Sequence, residues 1–368
     1  MKRIFLLSVF TSVILVSVSF GQAKPDNKLK LQDLNLTNAP AFSLTDVSPS
    51  SIESPTTTKA FSTSIVNSFN QSNGIPQNYA IEFTPFWFTQ HPHITNYQYF
   101  GIHPDGTNNS FSQARFFALS FAIINKDTAT NVGKFGNHNA AFGIRTTLIR
   151  VMGYTARKKI VGFAAGWDNL LKAQLDSLNG LPPTVAQLDA LRGKIKYADS
   201  IKKYMTQVPV FSLDIAAASN LNFPNNSFSS NHLSRAGVWV NANLALDLKD
   251  HKESSSSCIK FSGIARYIYA SDSLTIKKNY VSTNFIDIGL KTEMQLGNIS
   301  LAYEYINRSS SNQSITGSYK SVGLLHYKIK DGVFLTGAFG QNFASSNNLI
   351  TSLGINWGIS NGKENIEQ

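Results

Sequence analysis

The sequence predicts an all-β protein: an antiparallel transmembrane β-barrel of about 12 strands with an inserted helical hairpin. Three observations predict it. Strand-length segments alternate apolar and polar residues with a period of two, from about Tyr79 to the C-terminus. The chain opens with the layout of an export signal. No later apolar run is long enough to cross a bilayer as a helix, which takes about 20 residues.

The export signal is read from Lys2 and Arg3, a nearly uncharged stretch from Ile4 to Val18, and the small residues Ser19, Gly21 and Ala23. These predict a signal peptide over 1–23, cleaved near Gly21 to Ala23. No cysteine stands at or directly after the cleavage region, which argues against a lipid anchor. Cys258 is the 1 cysteine of the chain, so no intramolecular disulfide can form, and it reads as a small apolar strand residue. An exported chain without disulfides needs a large core or a closed sheet.

The formal net charge is +11. Its lysines and arginines are spread along the chain rather than clustered with aromatics on one element, so nucleic acid is not an expected partner. The 25 Phe and 13 Tyr residues combine with a mean hydropathy of −0.11. Barrel strands have this balance, because half of each is polar.

Residues 24–57 are rich in Ser, Thr, Pro and Asn and show no sustained period, which predicts an extended periplasmic lead. The barrel is expected over 58–360, followed by a tail at 361–368. Its first strand, Lys59 to Ser68, alternates weakly. Tyr79 to Phe88 alternates better and ends in Phe86, Trp87 and Phe88, aromatics suited to a membrane–water boundary. Strands follow at Gln113 to Ile123 and Asn139 to Val151.

The period then changes. Leu170, Leu171, Leu175 and Leu178, then Val185, Leu188, Leu191, Ile195 and Ile201, fall at helical spacing on either side of Pro182 and Pro183. Thr184 and Gln187 have the form of a capping box. A helical insertion over about 166–205 is therefore expected.

Strand period resumes at Val208 to Ala217, Arg235 to Leu248, Ser257 to Ala270, Thr283 to Leu296, Ile299 to Tyr305, Tyr319 to Ile329, Gly332 to Gln341 and Leu349 to Ser360. Single-chain bacterial barrels use even strand numbers, which places both termini in the periplasm. The short connections after Leu296 and Lys330 suit that side, and strict alternation brings the helical insertion to it as well.

Thr283 to Leu296 shows the faces most plainly. Ile286, Ile288, Leu290, Met294 and Leu296 share one parity and predict lipid contacts; Asp287, Lys291, Glu293 and Gln295 share the other. The same division assigns Glu82, Arg145, Asp214, Asp247, Lys260, Arg266, Asp287, Lys291, Glu293 and Glu304 to the lumen. Both signs are present, which favours a narrow or plugged lumen with paired charges over a wide channel ringed by one sign. Phe86, Trp87, Phe88 and Trp357 are the expected interface aromatics. A soluble secreted β-sandwich acting as a binding module would turn the same polar residues to water. Alternating runs of ten or more residues favour the barrel, since membrane strands take about 9–11 residues and globular ones average about 5–6.

Catalytic signals are sparse. There is no Gly-rich phosphate loop, H-E-x-x-H, G-x-S-x-G or Cys pair, so no catalytic residue, cofactor or metal is predicted, and the chain is not read as an enzyme. His91 and His93 flank a proline in a polar connection and read as surface or interfacial residues before metal ligands. Gln71-Ser72-Asn73-Gly74 resembles the active-site stretch of the outer-membrane phospholipase A family, a twelve-stranded barrel in which a His precedes the nucleophilic Ser by two residues. Here Asn70 and Gln71 precede Ser72, so the base that would activate it is missing. A lipid hydrolase is the alternative that rests on that fragment.

More broadly, the chain resembles uncharacterised outer-membrane β-barrel proteins of Bacteroidota-type bacteria. The carriers are Asn38-Ala39-Pro40-Ala41-Phe42, Val47-Ser48-Pro49-Ser50-Ser51-Ile52-Glu53-Ser54-Pro55, and Pro76-Gln77-Asn78-Tyr79-Ala80-Ile81-Glu82 leading to Pro85-Phe86-Trp87. The resemblance implies location and architecture, without an activity. The chain departs from many barrels in continuing past its last strand, with Trp357 the nearest substitute for a terminal aromatic. The expected function is a narrow pore, or a membrane-embedded structural subunit that meets a periplasmic protein partner through 24–57 or 166–205 as well as outer-membrane lipid.

Overall fold

The computed structural model describes residues 39–46, 48, 50–52, 61–68, 78–88, 97–98, 101–109, 116–125, 138–177, 184, 208–223, 229, 231–247, 257–274, 280–312, 317–330, 333–343 and 349–359. Its strands are β1 (Phe61–Ser68), β2 (Asn78–Phe83), β3 (Ala118–Asn125), β4 (His138–Val151), β5 (Phe211–Phe223), β6 (His232–Asp247), β7 (Ser257–Leu274), β8 (Tyr280–Leu296), β9 (Ile299–Ser310), β10 (Ser318–Lys330), β11 (Val333–Gln341) and β12 (Leu349–Ile359). Each pairs with the next in sequence, and β1 meets β12 to close the barrel. Closure removes the unpaired edge that an open sheet would present.

The weakly alternating strand at Lys59 to Ser68 is the closing strand. It runs antiparallel to β12 from the Phe61–Ile359 pair to the Ser68–Ser352 pair. Its inward residues Ser62 and Ser64 are small and buried, and Ser64 hydrogen-bonds Asn356 across the seam. An even strand count brings the first and last strands to the same end. The β8–β9 connection lies at that end too, and is a two-residue turn with Gly297 at φ +58°. Glycine suits that place because a primed hairpin turn needs positive φ at its first central residue.

Three expectations need correction. The strand expected to reach Phe88 stops at Phe83, because Pro85 has no N–H to give the ladder; Pro85–Phe88 instead forms a turn of 3-10 helix. The strand expected from Gln113 begins at Ala118. The helical insertion begins well before residue 166, as helix Tyr154–Ser177 between β4 and β5. Its Ile160 and Ala164 bury against Ile102, with Tyr97, Val161 and Phe163 around them, so an inward face not counted at sequence level fixes its first turns to the β2–β3 connection. The second helical run, Val185 to Ile201, lies outside the described residues.

The largest departure concerns the lead. Of residues 24–57, the described part, within Ala39 to Ile52, is not extended outside the barrel but lies inside it. A short helix α1 (Pro40–Ser43), started by a proline at its first position, is followed by a bend at Asp46, whose φ is +58°. Phe42, Leu44 and Ile52 are completely buried. The physical reason is burial: three large apolar residues in a polar segment find no shelter in water but do find it against the inner wall. Residues 1–38, 53–60 and 360–368 lie outside the described set.

The outer surface is apolar as predicted. Ile288 is 64% and Leu290 72% exposed, and Phe121, Val238, Ile286, Tyr303 and Leu301 are similarly bare. Among the described residues no helix is long and apolar enough to cross a membrane.

Candidate functional site: a lumen that holds part of residues 39–52

Alternation places the inward side chains of neighbouring strands in rows. On β7, β8 and β9, register sets Arg266 opposite Asp287 and Asp287 opposite Arg308. The row is a charge triad. Arg266 donates to Asp287 Oδ2 through Nε at 2.9 Å and Nη2 at 2.6 Å. Arg308 donates Nε to Oδ1 at 2.8 Å and Nη2 to Oδ2 at 2.9 Å. Arg308 spans both carboxylate oxygens, the strong form of the ion pair, and the four charged hydrogen bonds together offset the desolvation of these buried groups.

Nearer the β8–β9 turn, Lys260 donates to Glu293 at 3.2 Å, and Lys291 lies 3.5 Å from the same carboxylate. On the opposite wall Glu82 pairs with Arg145. Asp214 accepts from Thr147 at 2.5 Å, Ser212 at 3.1 Å and Asn243 at 3.0 Å. Cys258 also faces inward, its Sγ 3.7 Å from Gln295 Oε1.

The segment that crosses the lumen is gripped by this wall at several points. Its Asp46 takes Arg235 Nη1 at 2.6 Å, Arg308 Nη1 at 2.9 Å and Nη2 at 3.1 Å, and Arg266 Nη2 at 3.4 Å. Arg235 and Arg266 also donate to the carbonyls of Leu44 and Ser43, at 2.8 and 2.9 Å. Further on, Glu304 receives Ser50 Oγ at 2.6 Å and the amides of Ser51 and Ile52 at 2.9 and 3.0 Å. Lys320 donates to the Ser48 carbonyl at 3.1 Å and to Ser51 Oγ at 2.9 Å, and lies 3.4 Å from Glu304. Burial alone would raise the Asp46 carboxyl, but Arg308, Arg235 and Arg266 outweigh it and hold the group well below the usual carboxylate range.

The wall is also shaped for the segment. A Cβ on Gly143 would come within 2.7 Å of the Ala41 amide nitrogen and 2.8 Å of Pro40 Cβ, and one on Gly237 within 2.8 Å of Leu44 Cδ1. Gly143 must therefore lack a side chain for the segment's backbone to lie where it does, while at Gly237 the Leu44 side chain would have to turn aside. Beside Gly143, Ser120 Oγ accepts the Ala41 N–H at 3.1 Å. Leu44 and Ile52 complete an apolar cluster with the inward-facing Trp239, Ile264, Ile268, Phe285 and Ile306.

Of the residues assigned to the lumen from sequence, Glu82, Arg145, Asp214, Lys260, Arg266, Asp287, Lys291, Glu293 and Glu304 form these inward contacts. Asp247 pairs through its backbone with Cys258 at the end of β6, and its side chain lies outside the described residues. Among the interface aromatics, Phe86 is half-buried in the 3-10 turn, while the side chains of Trp87, Phe88 and Trp357 lie outside the described set. Ser72, His91 and His93 lie outside it as well.

The sequence reading missed Arg308 and Lys320, both inward, and Asp46. Arg308 was within reach, since it continues the parity of Ser300 and Glu304 along β9. Asp46 had no such signal, because nothing periodic surrounds it.

No family model matches the chain, and no curated protein matches it. Solved structures similar to it include a KdgM porin in complex with disordered oligogalacturonate, at 7% identity and a TM-score of 0.33, covering 82% of this chain and 98% of that one. A NanC porin structure shares 7% identity at a TM-score of 0.35, with the same coverage. A second KdgM porin shares 8% at 0.34, covering 82% of this chain and 99% of that one.

Proposed function

We propose that the protein is an outer-membrane β-barrel forming a narrow pore, held closed at rest by its own residues 39–52. The membrane reading is supported by an outer surface on which Leu290, Ile288 and Phe121 stand exposed around a closed sheet. A water-filled setting would leave that apolar band uncovered. The observation that carries the gating reading is the seat of Asp46 among Arg235, Arg266 and Arg308. A segment that merely filled space would need no charge matched to three arginines of the wall.

Conductance in planar bilayers tests it. Full-length protein should show rare, small openings, and a variant with 39–52 unseated should conduct steadily. A barrel that stays silent in both forms would overturn the pore reading.

A second reading is a membrane-embedded subunit that meets a periplasmic protein partner. It is favoured by helix Tyr154–Ser177, which lies at the barrel end that holds the first and last strands and exposes Lys158 and Lys159. Crosslinking from those lysines in intact cells to one reproducible protein would support it.

A further inference from the structure

We infer that Arg235, Arg266, Arg308 and Lys320 form a luminal binding site for multivalent oxyanions, and that Asp46 occupies it in place of the ligand while the lumen is closed. The inference rests on the pore reading above and names the solute class that such a pore would take.

The wall charges support it. Among the described residues, Arg266, Arg308 and Lys320 share two wall carboxylates, Asp287 and Glu304, so these wall groups by themselves carry a surplus of positive charge. Asp46 offsets part of that surplus, and it belongs to the crossing segment rather than to the barrel. When the segment leaves, its carboxylate leaves with it, and the guanidinium groups of Arg235, Arg266 and Arg308 are left facing a common space. Cations that outnumber the carboxylates of a confined site draw in anions.

The chemistry of what now fills the site points the same way. Toward the described part of the segment these four side chains donate to oxygen: the Asp46 carboxylate, the carbonyls of Ser43, Leu44 and Ser48, and Ser51 Oγ. Arg308 holds Asp46 with both Nη atoms, the forked geometry that suits carboxylate and phosphate alike. A solute bearing at least two acidic oxygens and further hydroxyl or carbonyl groups would reproduce this set.

Calorimetric titration of the full-length protein in detergent tests the site, with citrate and pyrophosphate as separate probes. The Asp46→Asn variant should bind at least one of them roughly tenfold or more tightly than the unaltered protein, and adding Arg308→Gln should abolish the gain. Binding of citrate alone would assign carboxylate solutes, and binding of pyrophosphate alone phosphorylated ones. Equal affinity with and without Asp46, or affinity unchanged by Arg308→Gln, would overturn the inference. Should Asp46→Asn not assemble, Gly143→Leu, which displaces the segment and leaves every wall charge in place, is titrated in the same way. Because binding is read without current, a barrel that binds but never conducts would sink the pore and keep the site, whereas one that conducts without binding would do the reverse.

Discussion

Arg308 grips Asp46 with both ends of its guanidinium, Nη1 to Oδ2 at 2.9 Å and Nη2 to Oδ1 at 3.1 Å, across 262 residues of sequence. The same side chain holds Asp287 on the neighbouring strand through Nε and lies 3.6 Å over the Phe343 ring. One wall residue thus ties the crossing segment to the barrel and to the strand beside it. Asp46→Asn should leave the barrel assembled and loosen the segment by about 2–3 kcal/mol, the scale of a lost charged hydrogen-bond set. Open probability in bilayers should rise by roughly 30-fold or more. An unchanged open probability would show that Asp46 is not the latch.

Gly143 gives an independent route to the same state without touching a charge. Any side chain there must enter the space of Pro40 and the Ala41 amide. Gly143→Leu is therefore expected to conduct like a form lacking the segment, while keeping heat-modifiable migration on gels as evidence of a closed barrel. Gly263 provides the control. A Cβ there meets nothing closer than 3.6 Å, so Gly263→Ala should behave as the unaltered protein.

Asp287 tests the wall rather than the segment. Two arginines converge on it, and its side chain has no contact with water. Asp287→Ala should cost about 3–5 kcal/mol in equilibrium unfolding, because it takes from two buried cations the wall carboxylate they share. On the other face, Leu290→Arg should cost about 2–4 kcal/mol in lipid, the penalty for a cation near the bilayer midplane. A penalty under about 0.5 kcal/mol would contradict lipid contact at β8.

The barrel was legible in the sequence because its determinant is local. Ile286, Asp287, Ile288 and Lys291 declare their faces through a period that any run of β8 repeats, and pairing simply continues from strand to strand. The cross-strand pairs Lys260–Glu293 and Arg266–Asp287 could not be named in advance, since register depends on turn geometry as well as parity. The inward apolar residues Trp239, Phe285 and Ile306 were hidden for another reason. A lumen facing water predicts polar residues there, and only the presence of Leu44 and Ile52 inside the barrel makes an apolar wall favourable. The crossing segment itself was the least legible part. Its conformation is set by contacts from Arg235 to Lys320, far away in sequence, and its own composition reads as an ordinary polar lead.

Acid should act on the latch in one direction. Burial works against the Asp46 carboxylate, but Arg308, Arg235 and Arg266 more than compensate and hold its pKa well below the usual value. A carboxyl depressed by folding contributes stability that is fully present above its unfolded pKa, about 3.9, and is lost as pH falls through the lower folded value. The charged groups around it are the three arginines and Lys320, which keep their charge through this range, and Asp287, which Arg266 and Arg308 hold. The closed state should therefore persist from pH 7 down to about 4 and give way only in stronger acid, when Asp46 takes up a proton and the arginines lose their counter-charge. Single-channel recordings stepped through that range check it, with Asp46→Asn as the reference that has no such carboxylate to titrate. Opening of the unaltered protein at pH 5 to 6, or an acid response that survives Asp46→Asn unchanged, would assign the gate to some other group.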